Sequence, residues 1–361
     1  MNNIQFNLSL EELKSHDDYL DFFRIKKENT KNVLDLFCGC GGMSLGFQRE
    51  GFNILAGIDV DNDSLDSYNA NLGVIGKNLD LSKSSWTETV KSFLQGRTVD
   101  IMVGGPPCQG FSLTGTRVFD DPRNRLYSSF FDGIDKFDPE TVVIENVKGM
   151  ATLYQGRAKK FIEKELEDRG YSVTSGILNA AYYGVPQFRE RLFILARKGN
   201  KKLHFSNPLL SEERLITTKD AISDLIRSEN DVGSEFIKYE NDPKNYYQVI
   251  MRENSKGIAN HFVTKHKDFV IETIKQVPDG GNHRDLPAGV GLTRKFNEAW
   301  TRYSSRKPSR TIDTGHRNHF HYSLNRVPTV RENARLQSFP DNFHFKGSKT
   351  SQSKQVGNAV P

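Results

Sequence analysis

Cysteine is nearly absent from this chain: three among 361 residues, at Cys38, Cys40 and Cys108. So odd and sparse a set excludes the disulfide framework of a small secreted domain and points to a reducing compartment. Long apolar runs are missing as well; none approaches the roughly 20 residues that cross a bilayer as a helix. Met1 to Leu10 lacks the basic start and apolar centre of a secretion signal. A cytoplasmic protein is the expectation. Charge of one sign is not in large excess either. The formal net charge is +5, which permits a polyanionic partner without requiring one. There are no repeats and no low-complexity tract. What remains is a hydrophobic fraction of 36% and a charged fraction of 26%, enough for one large globular domain and a smaller one.

The first 30 or so residues hold two weakly amphipathic stretches, Leu8 to Leu13 and Tyr19 to Ile25, and read as a helical lead-in. From Lys31 an α/β rhythm begins. Asn32 to Phe37 is an apolar strand, followed by a Gly-rich turn and a helix over about Met43 to Glu50. Further strands are expected at Asn53 to Asp59, Val99 to Val103, Thr141 to Val147 and Arg191 to Ala196, with a charged helix from Arg157 to Arg169. Strands alternating with helices imply a mainly parallel sheet covered on both faces. After about Lys198 the pattern dissolves into a polar stretch reaching about Val327, with a turn at Asp279 to Asn282. A last helix, about Val330 to Ser338, is stopped by Pro340, and a Gly-containing segment ends the chain. The expected units are therefore 1–30, 31–198, 199–327 and 328–361, the last returning to the catalytic unit.

A strand that ends in a Gly-rich turn and feeds a helix presents backbone N–H groups to a ligand. Here that turn is Asp35-Leu36-Phe37-Cys38-Gly39-Cys40-Gly41-Gly42. Asp59 closes the next strand, where a carboxylate can accept hydrogen bonds from ribose hydroxyls. Ser44 stands where the third glycine of the dinucleotide fingerprint belongs, which argues against a nicotinamide dehydrogenase. Asp80, closing the next unit, can face the same crevice. The turn by itself leaves S-adenosylmethionine, another nucleotide and a plain tight turn all open. Cys38 and Cys40 read better as small residues in a tight loop than as a metal or redox pair.

Gly104-Gly105-Pro106-Pro107-Cys108-Gln109-Gly110-Phe111-Ser112 follows another strand, so Cys108 lies where open sheets bind ligands. A cysteine nucleophile must ionise, and so needs a suitable local field; alone, Cys108 reads equally as a buried loop cysteine. Glu145 and Asn146 end a strongly apolar strand, where an ionisable group is costly without a partner or a task. Gln187, Arg189 and Arg191 share one face if extended, and such cations can serve a carboxylate or a phosphate, or simply make a structural ion pair.

Taken together and in this order, these segments closely resemble the cytosine-5 DNA methyltransferase family. The resemblance runs from Asn32 to Pro361 apart from the middle, and rests on six motifs. They are Asp35 to Gly42, Pro107-Cys108, Glu145 to Val147, Gln187 to Arg191, Arg331 to Pro340 and Gln355 to Pro361. It implies an α/β fold of the S-adenosylmethionine-dependent (Rossmann-like) kind with a smaller, irregular target-recognition domain at 199–327. It implies covalent catalysis: Cys108 attacks carbon 6 of cytosine, Glu145 holds a proton against N3, Arg191 contacts the base carbonyl and Arg189 orients Glu145 or its neighbours. The cofactor pocket falls to Phe37, Gly39, Cys40, Gly42, Asp59, Asp80, Leu81 and Pro107, with Asn358, Ala359 and Val360 from the chain end; Phe37 is expected to stack on adenine. Substrate contacts fall to Gln109, Ser112, Arg117, Asn146 and Gln187.

The target base must leave the duplex. The loop from Gln109 to about Leu126 is expected to close over it, with Arg117, Arg123 and Arg125 toward phosphate. No metal is expected: His316, His319 and His321 fit no familiar ligand spacing. An RNA-directed relative of the family carries a late Cys-Phe-Thr motif, and no cysteine follows Cys108. A non-catalytic DNA-binding relative is the other alternative, countered by Cys108, Glu145 and Arg191 occurring together. The family continues past the Gly-Asn motif into a final helix. That leaves a truncated chain, a second polypeptide supplying the helix, or Met1 to Lys31 taking its place; the chain is otherwise expected to be a monomer. The partners implied are duplex DNA and, by family habit, a restriction endonuclease.

Overall fold

The computed structural model describes residues 30–107, 125–225, 236–287, 290, 299–315 and 318–361. Its frame is a seven-stranded sheet made of β1 (Asn32–Leu36), β2 (Asn53–Asp59), β3 (Gly76–Asn78), β4 (Ile101–Gly104), β5 (Thr141–Val147), β6 (Tyr171–Asn179) and β7 (Glu190–Lys198). The spatial order is β3-β2-β1-β4-β5-β7-β6. Strands β1 to β5 pair in parallel, and β7 runs antiparallel between β5 and β6. The sheet is thus mainly parallel, as the α/β rhythm predicts. Central strands buried on both faces need apolar side chains throughout, and β4 (Ile-Met-Val-Gly) is buried at every position.

The topology places the site. The chain starts at β1, moves outward through β2 and β3, then returns to the other side of β1 as β4. Ligands of open α/β sheets bind at the carboxyl edge where the order reverses. Here that point lies between β1 and β4, whose ends carry the Gly-rich turn and the Gly-Pro-Pro segment. The two strands approach closely: a Cβ on Gly104 would lie 2.4 Å from the Leu36 carbonyl oxygen.

The helices between the strands are α1 (Gly42–Arg49), α2 (Asn62–Leu72), α3 (Trp86–Leu94), α4 (Arg125–Phe137) and α5 (Arg157–Asp168). The expected loop from Gln109 to about Leu126 falls almost wholly outside the described residues, which resume in α4 at Arg125. Within α4, Tyr127, Phe130, Phe131 and Ile134, spaced three or four apart, form one buried face.

After residue 198 come short helices, α6 (Thr218–Ile222), α7 (Tyr246–Met251) and α8 (Asp268–Lys275), and the two-residue strands β8 (Phe236–Ile237), β9 (Ile258–Ala259), β10 (Thr301–Arg302) and β11 (His319–Phe320). Then follow α9 (Val330–Leu336) and α10 (Lys349–Asn358). The Gly-containing chain end is therefore a helix, a correction to the sequence reading. Its sequence, KTSQSKQVGN, is polar and poor in strong helix formers; the Ser348 cap and burial of Ser353, Gln355, Val356 and Gly357 hold it. Helix α9 packs with α6 and α10, and α10 with α2.

A second core gathers Ile222, Tyr247, Met251, Ile258, Tyr303, Leu336, Phe339, Phe343 and Val356. Buried ion pairs stitch it. Arg335, fully buried, donates Nε and Nη2 to Asp341 at 2.7 Å each and Nη1 to Asp224 at 2.9 Å. Arg326 is bidentate on Glu332, at 2.6 and 2.8 Å. Removing one member of such a set strands charges in a dry interior. Arg335→Ala is expected to cost at least about 3 kcal/mol, seen as a lower denaturant midpoint with an unchanged slope.

Candidate active site

The turn after β1 is held open by its backbone. Phe37, Gly39 and Gly41 all have positive φ, at 61°, 53° and 99°; for Phe37 this is an unusual conformation that a non-glycine residue adopts under constraint. Asp59 closes the turn from the neighbouring strand. Its Oδ2 accepts the Gly39 N–H at 2.8 Å, and its Oδ1 accepts those of Val60 and Asp61 at 2.7 and 3.0 Å. Gly42 faces the chain end: a Cβ there would lie 2.7 Å from the Val360 carbonyl oxygen and 3.5 Å from Ala359 Cβ. The fold thus brings Phe37, Gly39, Gly42, Asp59, Ala359 and Val360 together. Asp80, nearer solvent, accepts the Ser82 N–H at 2.9 Å.

Two residues expected to line this pocket turn their side chains elsewhere. Cys40 is 2% exposed, sits in the second core, and points its thiol at the Gln355 carbonyl oxygen. Leu81 is buried in the first core. Only their backbones are left for a ligand. Conversely, the sequence reading passed over Val60, whose apolar side chain is 60% exposed immediately after Asp59. A valine directly after the strand-closing carboxylate, outside the strand, was the available signal.

Asp35 lies beneath the turn. Its Oδ2 accepts the Ser44 hydroxyl at 2.6 Å, while Oδ1 is buried without a hydrogen-bond partner. Burial pushes its carboxyl up to about 7; the Ser44 hydrogen bond opposes that shift and Asp59 adds to it. Burial also raises the Cys38 and Cys40 thiols, Cys40 to about 12, so neither is a nucleophile at neutral pH.

The second half of the site stands on β5 and β7. Glu145 is 8% exposed and pairs with Arg191, Nε to Oε1 3.1 Å. Strand register makes the pair possible: Val147 lies opposite Arg191 and Glu145 opposite Phe193. Burial raises the Glu145 carboxyl above its ordinary value, and the charges of Arg191 and Arg189 offset this only in part. Gly105 passes beside it; a Cβ there would lie 2.8 Å from Glu145 Oε2. Asn146, also buried, donates Nδ2 to the Pro106 carbonyl at 2.8 Å and to the Tyr127 hydroxyl at 2.6 Å. The segment leading to Pro107, itself exposed, is therefore tied to β5. Cys108, Gln109, Ser112, Arg117 and Arg123 fall outside the described residues.

Gln187 and Arg189 are both buried. Gln187 is fully buried; it accepts the Ile312 N–H at 3.1 Å and donates to the Leu336 carbonyl at 3.2 Å. Arg189 donates to the Gly357 carbonyl at 3.0 Å and to that of Ile312 at 3.4 Å. The direct ion-pair partner of Glu145 is Arg191, while Arg189 bonds to neighbouring groups and acts on Glu145 through its charge. Burial and the neighbouring Arg191 charge bring the Arg189 guanidinium down to about 9. Of the three histidines, His319 stacks on Tyr303 with ring centroids 5.1 Å apart, His321 stacks on Tyr322 at 4.6 Å, and His316 falls outside the described residues. Among the described residues no three His, Cys, Asp or Glu side chains are grouped to hold a metal.

The Gly-rich turn and a buried carboxyl group, raised above its ordinary value by burial, thus stand at the same edge of the sheet. Comparison with known proteins decides the family. The family model for C-5 cytosine-specific DNA methylases matches residues 31–361. The chain belongs to that family. Among its relatives, the type II methyltransferase M1.HphI of Haemophilus parahaemolyticus is 36% identical over 334 residues, covering 91% of this chain and 82% of the relative. Type II methyltransferase M.DdeI of Desulfomicrobium norvegicum is 35% identical, covering 91% and 85%. Of solved structures, one described as a DNA modification methyltransferase encoded within an E. coli prophage superposes with a TM-score of 0.72 at 27% identity, covering 92% of this chain and 95% of the other. The S. pombe Dnmt2 methyltransferase shares the fold, with a TM-score of 0.55 at 18% identity, covering 92% and 94%. The methylase is accordingly a DNA (cytosine-5) methyltransferase, and its family implies a methyl donor of the S-adenosylmethionine type.

Asp35 yields a pH prediction for this methylase. Its folded carboxyl titrates near 7 against an ordinary 3.8, so the native state binds the extra proton between those values. Stability contributed by this group is present at acid pH and falls as pH rises through that window. Asp35→Asn is expected to flatten the decline in thermal midpoint between pH 5 and 7.5 relative to wild type, followed by differential scanning fluorimetry.

Proposed function

We propose that this methylase transfers a methyl group from S-adenosylmethionine to carbon 5 of a cytosine flipped out of a specific duplex DNA site, through a covalent adduct on Cys108. The observation that carries the reading is Glu145: buried, raised in pKa, clamped by Arg191, and one strand away from the β4 end that leads to Cys108. Carbon 5 of cytosine is a weak nucleophile. Attack of the Cys108 thiolate on carbon 6 pushes electrons toward N3, and a neutral Glu145 carboxyl beside N3 meets that charge with its proton. Arg191, from the same cluster, faces the carbonyl at C2. Carbon 5 is then nucleophilic, and S-adenosylmethionine, when bound, supplies the electrophilic methyl group. A base removes the proton from carbon 5, the electrons expel Cys108, and aromaticity returns. Bringing the base out of the stack costs a few kcal/mol.

The residues around the β1 turn fit the donor. Gly39, Gly42, Asp59, the adjoining Val60 surface and Val360 form a narrow cradle. Phe37 and Asp80, with the backbones of Cys40 and Leu81 and with Pro107 and Asn358, complete the proposed pocket. Residues 199–327 are proposed to read the DNA sequence. Type II methyltransferases at 35–36% identity support a role in protecting cytoplasmic DNA alongside a restriction endonuclease.

The test supplies labelled S-adenosylmethionine with mixed-sequence duplex DNA or bulk tRNA. Label at cytosine carbon 5 of DNA, absent with Cys108→Ser, is expected; label in tRNA alone would overturn the substrate. Glu145→Gln is expected to lower kcat by at least about a hundredfold while retaining DNA binding. Because Glu145 acts protonated, wild-type kcat falls as pH rises through its raised pKa, and that alkaline limb disappears from the residual rate of Glu145→Gln.

A further inference from the structure

Helix α10 meets the proposed cofactor cradle at two places. Its carboxyl end delivers Ala359 and Val360 against Gly42. Just over one helical turn before that end, Lys354 reaches another wall, the strap Val60-Asp61 between β2 and α2: its Nζ lies 2.9 Å from Asp61 Oδ2. The strap is held from several directions. Asp59 Oδ1 accepts the N–H groups of both residues, and the Asn78 amide, closing β3, donates to the Val60 carbonyl at 2.9 Å. Asp61 Oδ1 accepts the Ser64 N–H at 3.0 Å and caps α2. So placed, the strap presents the exposed side chain of Val60.

Of the two members of this pair, the helix is the fixed one. Gln337, buried at the end of α9, donates Nε2 to the Val356 carbonyl at 2.7 Å and to that of Ala359 at 3.3 Å. Arg189 holds the Gly357 carbonyl, and the Ser67 hydroxyl donates to Gln355 Oε1 at 2.6 Å. Lys354 itself is about half exposed, so solvent screens the ion pair and its energy is small. The hydrogen bond to Asp61, with Asp59 and Asp63 adding, holds its ammonium above the usual lysine range. The pair is therefore intact at neutral pH, and it draws the strap to the helix.

We propose that Lys354 is a positioning residue for the methyl donor: by holding Asp61 it fixes the Val60 strap against the anchored end of α10, and so sets the width of the cofactor cradle. The inference rests on the S-adenosylmethionine reading of that cradle. A strap ordered before the ligand arrives removes its ordering cost from binding; without the pair, the ligand must order it. The sign of the effect separates this role from simple electrostatics. S-adenosylmethionine carries a net positive charge, so a lysine beside its pocket repels it, and loss of that charge alone would tighten binding. Weaker binding after removal of Lys354 reports the strap.

The test titrates S-adenosylmethionine calorimetrically into wild type, Lys354→Met, Lys354→Arg, Asp61→Asn and the Lys354→Met, Asp61→Asn double variant. Asparagine keeps the cap on α2, and unchanged affinity for duplex DNA certifies each variant as folded. Lys354→Met and Asp61→Asn are each expected to weaken cofactor binding about threefold. The double variant binds no more weakly than either single one, because both remove the same interaction. Lys354→Arg retains wild-type affinity. In turnover assays the KM for S-adenosylmethionine rises with the Kd, while kcat at saturating cofactor changes less. Affinity of Lys354→Met equal to or tighter than wild type, or losses that add in the double variant, would overturn the positioning role while leaving methylation intact. Failure of the wild type to bind S-adenosylmethionine would instead remove the reading on which the role rests.

Discussion

The structure turns on two side chains buried where the sheet meets the second core, Gln187 and Arg189. They leave the segment just before β7 and spend their hydrogen bonds on carbonyls and an N–H from distant parts of the chain: Leu336 at the end of α9, Ile312, and Gly357 in α10. An amide and a guanidinium are costly to bury unless satisfied, so these partners must stay in place. The consequence is geometric. Strand β7 presents Arg191 to Glu145 while the same latch presses the chain end toward Gly42. The Glu145 carboxyl and the Gly-rich turn are built on opposite sides of one fastening.

Close approach does the rest. Gly357 lies against the Asp313 backbone, where a Cβ would come within 2.2 Å of its carbonyl oxygen. Gly42 lies against Val360, Gly104 against Leu36 and Gly105 against Glu145. At each point two chain segments distant in sequence meet because glycine leaves room for the approach. The chemistry then follows from electrostatics in a confined space. Burial alone pushes both Asp35 and Glu145 toward the neutral form, but only Glu145 has arginines to moderate the shift.

Much of this was legible in the residues. The apolar runs at Asn53–Asp59 and Thr141–Val147 are strands with the boundaries read from pattern alone. A buried central strand has to be continuously apolar, and polar turns bound it sharply. Helix α10 was not legible; it is helical because tertiary contacts hold a polar segment.

For the site, the sequence by itself determined which chemical groups are available and in what order: Asp35 to Gly42, Pro107-Cys108, Glu145-Asn146, and Gln187 to Arg191. Residue types in fixed local spacing are a property of the chain. Only the tertiary structure decided which of them face a ligand and which face the protein. Cys40, Leu81 and Gln187 have buried side chains, and Arg191 is the ion-pair partner of Glu145. Such assignments depend on strand register, on the antiparallel insertion of β7 and on contacts more than a hundred residues apart. Local pattern carries no information about these, because the interactions that settle them do not exist until the sheet and the second core have packed together.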